Sequence, residues 1–179
     1  MMHVRSIESQ SDGYGNDLTL FFDKLVKQEA LNIAGVILVK LDIEGVSFNA
    51  SSLQDLIVEN SVLRGCDFKC SNVSGGEFND SLLEDVFFYS SVLVKSSFYN
   101  CKLEHVNFDK SNLVRSEFID VDFLDVSFDG ADLTGATFNN CNVSDVFFEN
   151  AKMDGTYFFG CLASDKLKHT CGVVFKDKL

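Results

Sequence analysis

The chain has 179 residues, a formal net charge of −12 and a hydrophobic content of 46%. These values suit a single domain with a sufficient core. The longest continuous apolar run, residues 33–39, is far too short to span a bilayer. Proline is absent from the whole chain, which favours a fold that uses its backbone N–H groups in hydrogen-bonded ladders.

Residues 1–16 are polar and lack the apolar core of a secretory signal peptide. They predict a flexible N-terminus on a protein that is soluble and cytoplasmic where it is made. The alternative interpretation of this segment is the secretion signal of a needle-type system, in which case the protein is a secreted bacterial effector.

An amphipathic helix is predicted next. Leu18, Phe21, Phe22 and Leu25 follow one another at helical spacing and form one apolar face. Stacked repeats leave an open apolar end that needs a cap. Residues 17–35 are therefore expected to form an N-terminal capping helix and the entry into the repeats.

A five-residue repeat occupies most of the chain. Every fifth residue from Leu38 to Phe158 is large and apolar, and the residue two places before each is Val or smaller, apart from Leu41 and Leu56. Gly, Asn or Asp commonly stands two places after the large residue, and these types tolerate left-handed turns. A period of five fits neither a helix nor a strand. It predicts short extended segments separated by bends, four of which close one square coil.

The pattern resembles the pentapeptide-repeat family, whose motif is roughly A-(D/N)-L-x-x. Residues 131–135 (Ala-Asp-Leu-Thr-Gly) match this motif in full, and residues 111–115 and 141–145 match it closely. The resemblance implies an all-β fold, a right-handed four-sided β-helix over residues 36–160. It implies no single function, because this family is a scaffold with many uses.

Small polar residues are predicted inside the coils. One side repeats a serine at the small inward position, from Ser51 to Ser111, which suggests a ladder of hydroxyl groups. A thiol at this position behaves as a small apolar group, so we expect reduced structural cysteines there. The cysteines at small inward positions are Cys66, Cys101, Cys141 and Cys161.

No enzymatic chemistry is predicted. His3, His105 and His169 lie in three separate regions, and no phosphate-binding loop or nucleophile motif occurs. All carboxylates of the repeat fall at outward or turn positions, where nothing tunes a general acid. We therefore predict a non-enzymatic protein with no catalytic residue, no metal site and no cofactor.

Negative charge is uneven among the four sides of the predicted coil. One side carries eight acidic and two basic residues and its neighbour five and one, so these two sides hold ten of the twelve net charges. Turn-forming Asp alone would be spread evenly. The imbalance predicts a partner-binding surface on the two acidic sides. Its residues are Glu77, Glu84, Asp85, Glu104, Glu117, Asp122, Asp125 and Asp145.

Outward apolar residues form a second candidate surface, a contact belt within one coil. Such residues can bind a protein, or they can simply stabilise the ladder between neighbouring strands. The residues of the belt are Leu82, Phe87, Tyr89, Val92, Val94 and Tyr99.

The repeat ends at Gly160, and residues 161–179 are predicted to form a C-terminal helix and tail. Ser164 can cap a short helix, which Gly172 can end. Apolar residues beside it either cap the open end or form a homodimer contact. They are Phe147, Tyr157, Phe159, Leu167, Val173, Val174 and Phe175.

Two functions follow from these features. The first is a protein-interaction scaffold for a protein partner, without membrane or direct nucleic-acid binding. The second rests on a resemblance to the quinolone-resistance members of the family, through acidity and the C-terminal helix and Val-rich strip. It implies an acidic DNA mimic that binds and protects DNA gyrase or topoisomerase IV.

Overall fold

The computed structural model describes residues 3–6, 30–170 and 172–176. The repeat forms a four-sided parallel β-solenoid in which each residue lies beside the residue twenty positions later in the next coil, as in Phe118 beside Phe138. We number the sides by their inward columns: side 1 from Leu38 to Phe158, side 2 from Ile43 to Ala163, side 3 from Phe48 to Phe148 and side 4 from Ile33 to Met153.

Sides 1 and 2 are continuous sheets. Side 1 is an eight-stranded sheet with the order β14-β13-β12-β10-β8-β6-β4-β2, and side 2 is a six-stranded sheet with the order β1-β3-β5-β7-β9-β11. The strands of side 1 are β2 (Ile37–Val39), β4 (Ile57–Glu59), β6 (Glu77–Asn79), β8 (Ser97–Tyr99), β10 (Glu117–Ile119), β12 (Thr137–Asn139), β13 (Thr156–Phe159) and β14 (Val173–Lys176). The strands of side 2 are β1 (His3–Ser6), β3 (Leu41–Glu44), β5 (Val62–Arg64), β7 (Leu82–Glu84), β9 (Lys102–Glu104) and β11 (Asp122–Leu124).

Sides 3 and 4 are built from single bridges and tight turns. Ser47 bridges Asp67 on side 3, and Ser52 bridges Asn72 on side 4. The turn that leaves side 3 is closed by a hydrogen bond from the backbone N–H of Ser71 to the carbonyl of Phe68. These two sides therefore carry shorter extended segments than the two sheets.

Left-handed backbone conformations bend the chain at the corners. Every corner residue from Gly35 to Gly160 except Asp145 has a φ between 49° and 71°. Gly, Asn and Asp accept this conformation most readily, which explains why they recur at these positions. Eight corners hold another residue type: Lys40, Ala50, Cys70, Ser90, Lys95, His105, Lys110 and Arg115.

Two perpendicular stacks of phenylalanine rings fill the interior. On side 1, Phe98 stacks on Phe118 with ring centroids 4.9 Å apart, and on side 3 Phe108 stacks on Phe128 at 4.8 Å. The two stacks meet edge to face, as Phe98 does with Phe108 at 5.6 Å. All inward columns are buried except at Phe123 and Phe148 among the predicted large positions, so the repeat predicts the core correctly.

The expected hydroxyl ladder does not form on the predicted side. Ser71, Ser91 and Ser111 each donate to a carbonyl in their own turn, three residues back, instead of to one another. Across the coils, the backbone N–H of Ser61 donates to the hydroxyl of Ser81, at another corner. The four inward cysteines are free thiols, as expected, whereas Cys171 lies outside the described residues.

The two ends of the chain differ from the repeat. Strand β1 pairs antiparallel with β3, within the segment that the sequence predicted to be flexible. Pairing between such remote residues has no signal in the repeat. The predicted helix at residues 17–28 lies outside the described residues. A short helix α1 (Asp165–Lys168), capped by Ser164, matches the C-terminal prediction.

Candidate interaction surface

The described part of the interior has no room for a substrate, because its inward columns are packed with apolar side chains. Among the residues that the structure describes, no group of three or more His, Cys, Asp or Glu side chains could hold a metal ion. No helix of the described part is long and apolar enough to cross a membrane. Candidate functional residues therefore lie on the outside of the coils.

The two acidic sides are the two continuous sheets. Glu77 and Glu117 project from strands β6 and β10 of side 1, and Glu84, Glu104 and Asp122 from strands β7, β9 and β11 of side 2. These sides adjoin at the corner that contains Asp80 and Asp120. The structure thus places the acidic residues on the two sides that form continuous sheets, which the sequence could not show.

Acidic residues on these sides are concentrated in two of the coils. We call them the acidic bands: the first holds Glu77, Asp80, Glu84 and Asp85, and the second holds Glu117, Asp120, Asp122 and Asp125. Neither band contains a basic residue, and the coil between them contributes Lys102 and Glu104, which cancel. Because stacked strands are about 4.8 Å apart, the two bands lie about 10 Å apart along the solenoid.

Ion pairs occupy part of the acidic surface. Arg64 Nη1 lies 2.7 Å from Asp42 Oδ1, and Arg64 Nε lies 3.1 Å from Glu84 Oε2. Lys102 Nζ lies 2.5 Å from Glu104 Oε1, and the Glu104 side chain is only 17% exposed. Glu84 and Glu104 are therefore paired with cations and are not freely solvated charges.

His105 lies between the two acidic bands at the corner of sides 2 and 3. Its Nδ1 is 3.4 Å from Asp85 Oδ1, and its Nε2 is 3.6 Å from Asp125 Oδ2. The imidazole thus links one acid of each band. Within the described residues, Glu77, Glu117, Asp122 and Asp145 make no ion pair, and Glu77, Glu117 and Asp122 are exposed on the sheets.

The predicted apolar belt surrounds the solenoid instead of forming a patch. Leu82 lies on side 2, Phe87 and Tyr89 on side 3, Val92 and Val94 on side 4, and Tyr99 on side 1. Only Phe87 and Tyr99 are classed as exposed, at 37% and 48%. A flat partner can contact at most two adjoining sides, so the belt is not one site.

Cations cover two of the three aromatic residues of the belt, Phe87 and Tyr89. Lys69 Nζ lies 4.7 Å from the centre of the Phe87 ring. Lys110 Nζ donates a hydrogen bond to the Tyr89 hydroxyl at 2.8 Å and lies 5.2 Å from the centre of the Tyr89 ring. The hydrogen bond to Tyr89 raises the pKa of Lys110. Sequence reasoning missed these pairs, although spacings of 18 and 21 residues are close to one coil.

The C-terminal candidates divide into cap residues and exposed residues. Phe175 stacks on Phe158 with ring centroids 4.8 Å apart, and Leu167 is buried. Val173 and Val174 belong to β14, which pairs with β13 and extends side 1. Leu167, Val173 and Phe175 therefore pack against the core at the end of the solenoid, whereas Val174 pairs with the outward Tyr157.

The remaining C-terminal candidates do not form one surface. Phe147 lies on side 3, opposite Tyr157 and Phe159 on side 1, and these residues are 56%, 44% and 37% exposed. The sequence prediction missed Leu162, which is 67% exposed on side 2. Leu162 stands at an outward position just after the regular repeat ends, and this position could have predicted its exposure.

Residues 91–168 match a family model described as a pentapeptide repeat region. This part of the chain is a pentapeptide repeat region. The coil length, the inward Phe and Leu columns and the left-handed corners described above are the structural form of that repeat. No curated protein sequence matches the chain.

Three solved pentapeptide-repeat structures are similar to the chain. Rfr23 from the cyanobacterium Cyanothece 51142 is 14% identical over 89% of this chain and 99% of its own, with a TM-score of 0.43. A pentapeptide repeat protein of the Arabidopsis thaliana thylakoid lumen is 22% identical over 57% of this chain and 68% of its own, with a TM-score of 0.41. A trypsin-treated variant of QnrB1, a plasmid-mediated fluoroquinolone resistance protein, is 14% identical over 81% of this chain and 91% of its own, with a TM-score of 0.35.

Proposed function

We propose that this pentapeptide-repeat protein is a non-enzymatic scaffold that binds a basic surface of a protein partner through the acidic bands on sides 1 and 2. The observation that supports the proposal is the banding itself. Eight of the ten net negative charges on these sides lie in two coils without any base. Corner chemistry alone does not explain Glu77, Glu117 and Asp122, because these residues stand on strands rather than at corners.

The spacing of the bands favours a helical partner element. Two bands about 10 Å apart match residues i and i+7 of an α-helix, which are about 10.5 Å apart on one face. Same-face residues of a strand are about 6.7 or 13 Å apart. We therefore expect a partner helix with Lys or Arg at i and i+7, lying along the solenoid, with a polar or acidic residue between them that faces Lys102.

The test compares two sets of neutralised acids on otherwise identical proteins. Glu77→Gln, Glu117→Gln and Asp122→Asn remove three unpaired charges from the acidic sides. Their matched control is Asp55→Asn, Glu149→Gln and Asp154→Asn, which removes three charges from sides 3 and 4 and likewise breaks no ion pair in the described part of the chain. The probe is a helical alanine-based peptide with Lys pairs seven residues apart.

The first set should weaken peptide binding about tenfold or more at low salt, and the control less than about threefold, because exposed pairs contribute about 0.2–1 kcal/mol each. Binding should also fall as salt screens the charges. Equal effects of the two sets would show that the acidic residues act only through total charge and would overturn the proposal.

A second candidate function is protection of DNA gyrase or topoisomerase IV by an acidic DNA mimic. The ten net charges of sides 1 and 2 are spread over about 25 Å, or one per about 2.5 Å, against one per about 1.7 Å in duplex DNA. A rod of this charge density can compete for a basic groove. A supercoiling assay with purified gyrase, with and without a quinolone, tests it. Absence of any effect of wild-type protein at low salt would exclude this candidate and leave the scaffold.

A further inference from the structure

Side 4 carries a cationic patch on an otherwise acidic molecule. Two consecutive coils, residues 87–95 and 107–115, each have one more base than acid on sides 3 and 4, whereas the coils before and after them are neutral or negative. The cations at the corners of side 4 are Lys95, Lys110 and Arg115, and all three are exposed. Lys95 and Arg115 make no ion pair within the described residues.

Half-buried valines occupy the side between these cations. Val94 and Val114 are neighbours in consecutive coils, because the backbone N–H of Lys95 bonds to the carbonyl of Val114 at 3.0 Å. Val92 bridges Asn112 on the same side. The result is a small apolar strip with Lys95 and Arg115 along one edge and Lys110 on the other.

Backbone strain accompanies the three cations of the patch, as it does Lys40 outside it. Lys95, Lys110 and Arg115 have φ values of 58°, 56° and 58°, a region that is unfavourable for long side chains. Residues kept in such conformations concentrate at functional sites. Later corners, such as Asp120, Asp125, Gly130 and Gly135, use the types that this conformation favours. The free energy of unfolding is therefore lower with Lys or Arg at these corners than it would be with Asn.

The aliphatic stems of two cations lie beside glycine corners of the next coil. A Cβ added to Gly130 would lie 3.5 Å from Lys110 Cγ, and one added to Gly135 would lie 3.5 Å from Arg115 Cγ. The glycines therefore leave space for these two side chains. Lys110 also donates a hydrogen bond to the Tyr89 hydroxyl, which limits the freedom of this side chain and so reduces the entropy lost when it binds.

We propose that side 4 in these two coils is a second docking surface, which takes an acidic, valine-containing segment of a partner polypeptide. Carboxylates would pair with Lys95, Lys110 and Arg115, with Arg115 suited to a bidentate pair, and aliphatic side chains would cover Val92, Val94 and Val114. Side 4 adjoins side 1 at the corner that holds Lys95 and Arg115, so an acidic partner element and a basic partner element would lie on neighbouring sides of the scaffold.

The test uses a fluorescein-labelled peptide of four Glu-Glu-Val repeats and measures its anisotropy at about 50 mM salt. The variants are Lys95→Asn, Arg115→Asn and the triple variant that adds Lys110→Asn. We expect each single change to weaken binding about threefold and the triple about 25-fold. Because Asn accepts the corner conformation, the triple variant should also melt a few degrees higher than wild type.

Two controls separate the patch from general effects. Lys40→Asn makes the same change in charge at a corner with a φ of 55° outside the patch, and it should leave binding within about twofold. Ala50→Asn and Cys70→Asn replace two uncharged corner residues outside these two coils, at φ values of 53° and 56°, and should raise the melting temperature without weakening binding.

No binding of the peptide to wild type, or equal losses in the Lys40 and Lys95 variants, would overturn the proposal. A Lys-Lys-Val peptide measured in parallel reports on the acidic bands alone, so failure of the side 4 surface and failure of the proposed scaffold function are distinguishable.

Discussion

Inward and outward residues of strand β8 obey different rules. Phe98 points inward, is fully buried and stacks on Phe78 and Phe118 with ring centroids 4.7 and 4.9 Å away. Its column holds a large apolar residue in every coil. The outward neighbours, Ser97 and Tyr99, belong to columns whose residue type changes between nearly all coils. The repeat therefore specifies the interior, and the outside is free to specify partners.

Replacing inward and outward residues of that one strand is the strongest way to test this contrast. Phe98→Ala should lower the free energy of unfolding by about 3–5 kcal/mol, because a buried ring is lost from the middle of a stack. Ser97→Ala should change it by less than about 0.5 kcal/mol. Urea unfolding of both variants measures the difference. Similar losses would contradict the assignment of inward and outward positions.

Cysteines of one inner column should differ in reactivity between the middle and the end of the solenoid. A hydrogen bond from the Cys141 thiol lowers the pKa of Cys161 to about 7 despite its burial, whereas burial raises the pKa of Cys101 to about 11. In a background with Cys70 and Cys171 changed to Ser, iodoacetamide at pH 7 should label Cys161 about tenfold faster than Cys101. Labelling of Cys161 should increase with a midpoint near pH 7.

Replacing Cys141 supplies the control for that prediction. Cys141→Ala removes the thiol that donates to Cys161, so labelling of Cys161 at pH 7 should slow down. Mass spectrometry of tryptic peptides identifies the labelled residue. Equal rates at Cys101 and Cys161 would show that the end of the solenoid is closed as tightly as its middle.

Ion pairs on side 2 should give a smaller effect. Arg64→Gln removes the guanidinium between Asp42 and Glu84 and should lower the free energy of unfolding by about 1 kcal/mol at low salt. The loss should shrink at about 1 M salt, where charges are screened within about 3 Å. Arg115→Gln, at a residue without an ion pair, is the control. A salt-independent loss would assign the effect to packing.

The sequence was sufficient to predict the core and the coils, because inward position, size and corner chemistry all share the period of five. Phe98, Phe108 and the Asn and Gly corners follow from it directly. The acidic sides could be separated by the same count. Features that join different coils or lie outside the repeat could not be predicted in this way.

Three details show why. Strand β1 pairs with β3 across more than thirty residues of chain, as in Val4 with Ile43, and no period connects them. Burial of Glu104 depends on the side chain of Lys102 beside it. The apolar belt seemed concentrated in sequence, but a coil distributes Leu82 and Tyr99 over different sides.

The dependence of binding on cation spacing is the sharpest test of whether the outside of sides 1 and 2 recognises a partner. Two alanine-based helical peptides of equal length, helicity and charge are compared by anisotropy, one with Lys pairs at i and i+7 and the other at i and i+5. We expect the first peptide to bind about fivefold more tightly or better, since only its cations reach both bands from one face. Equal affinities would contradict this expectation and would show that the acidic sides attract cations without regard to their spacing.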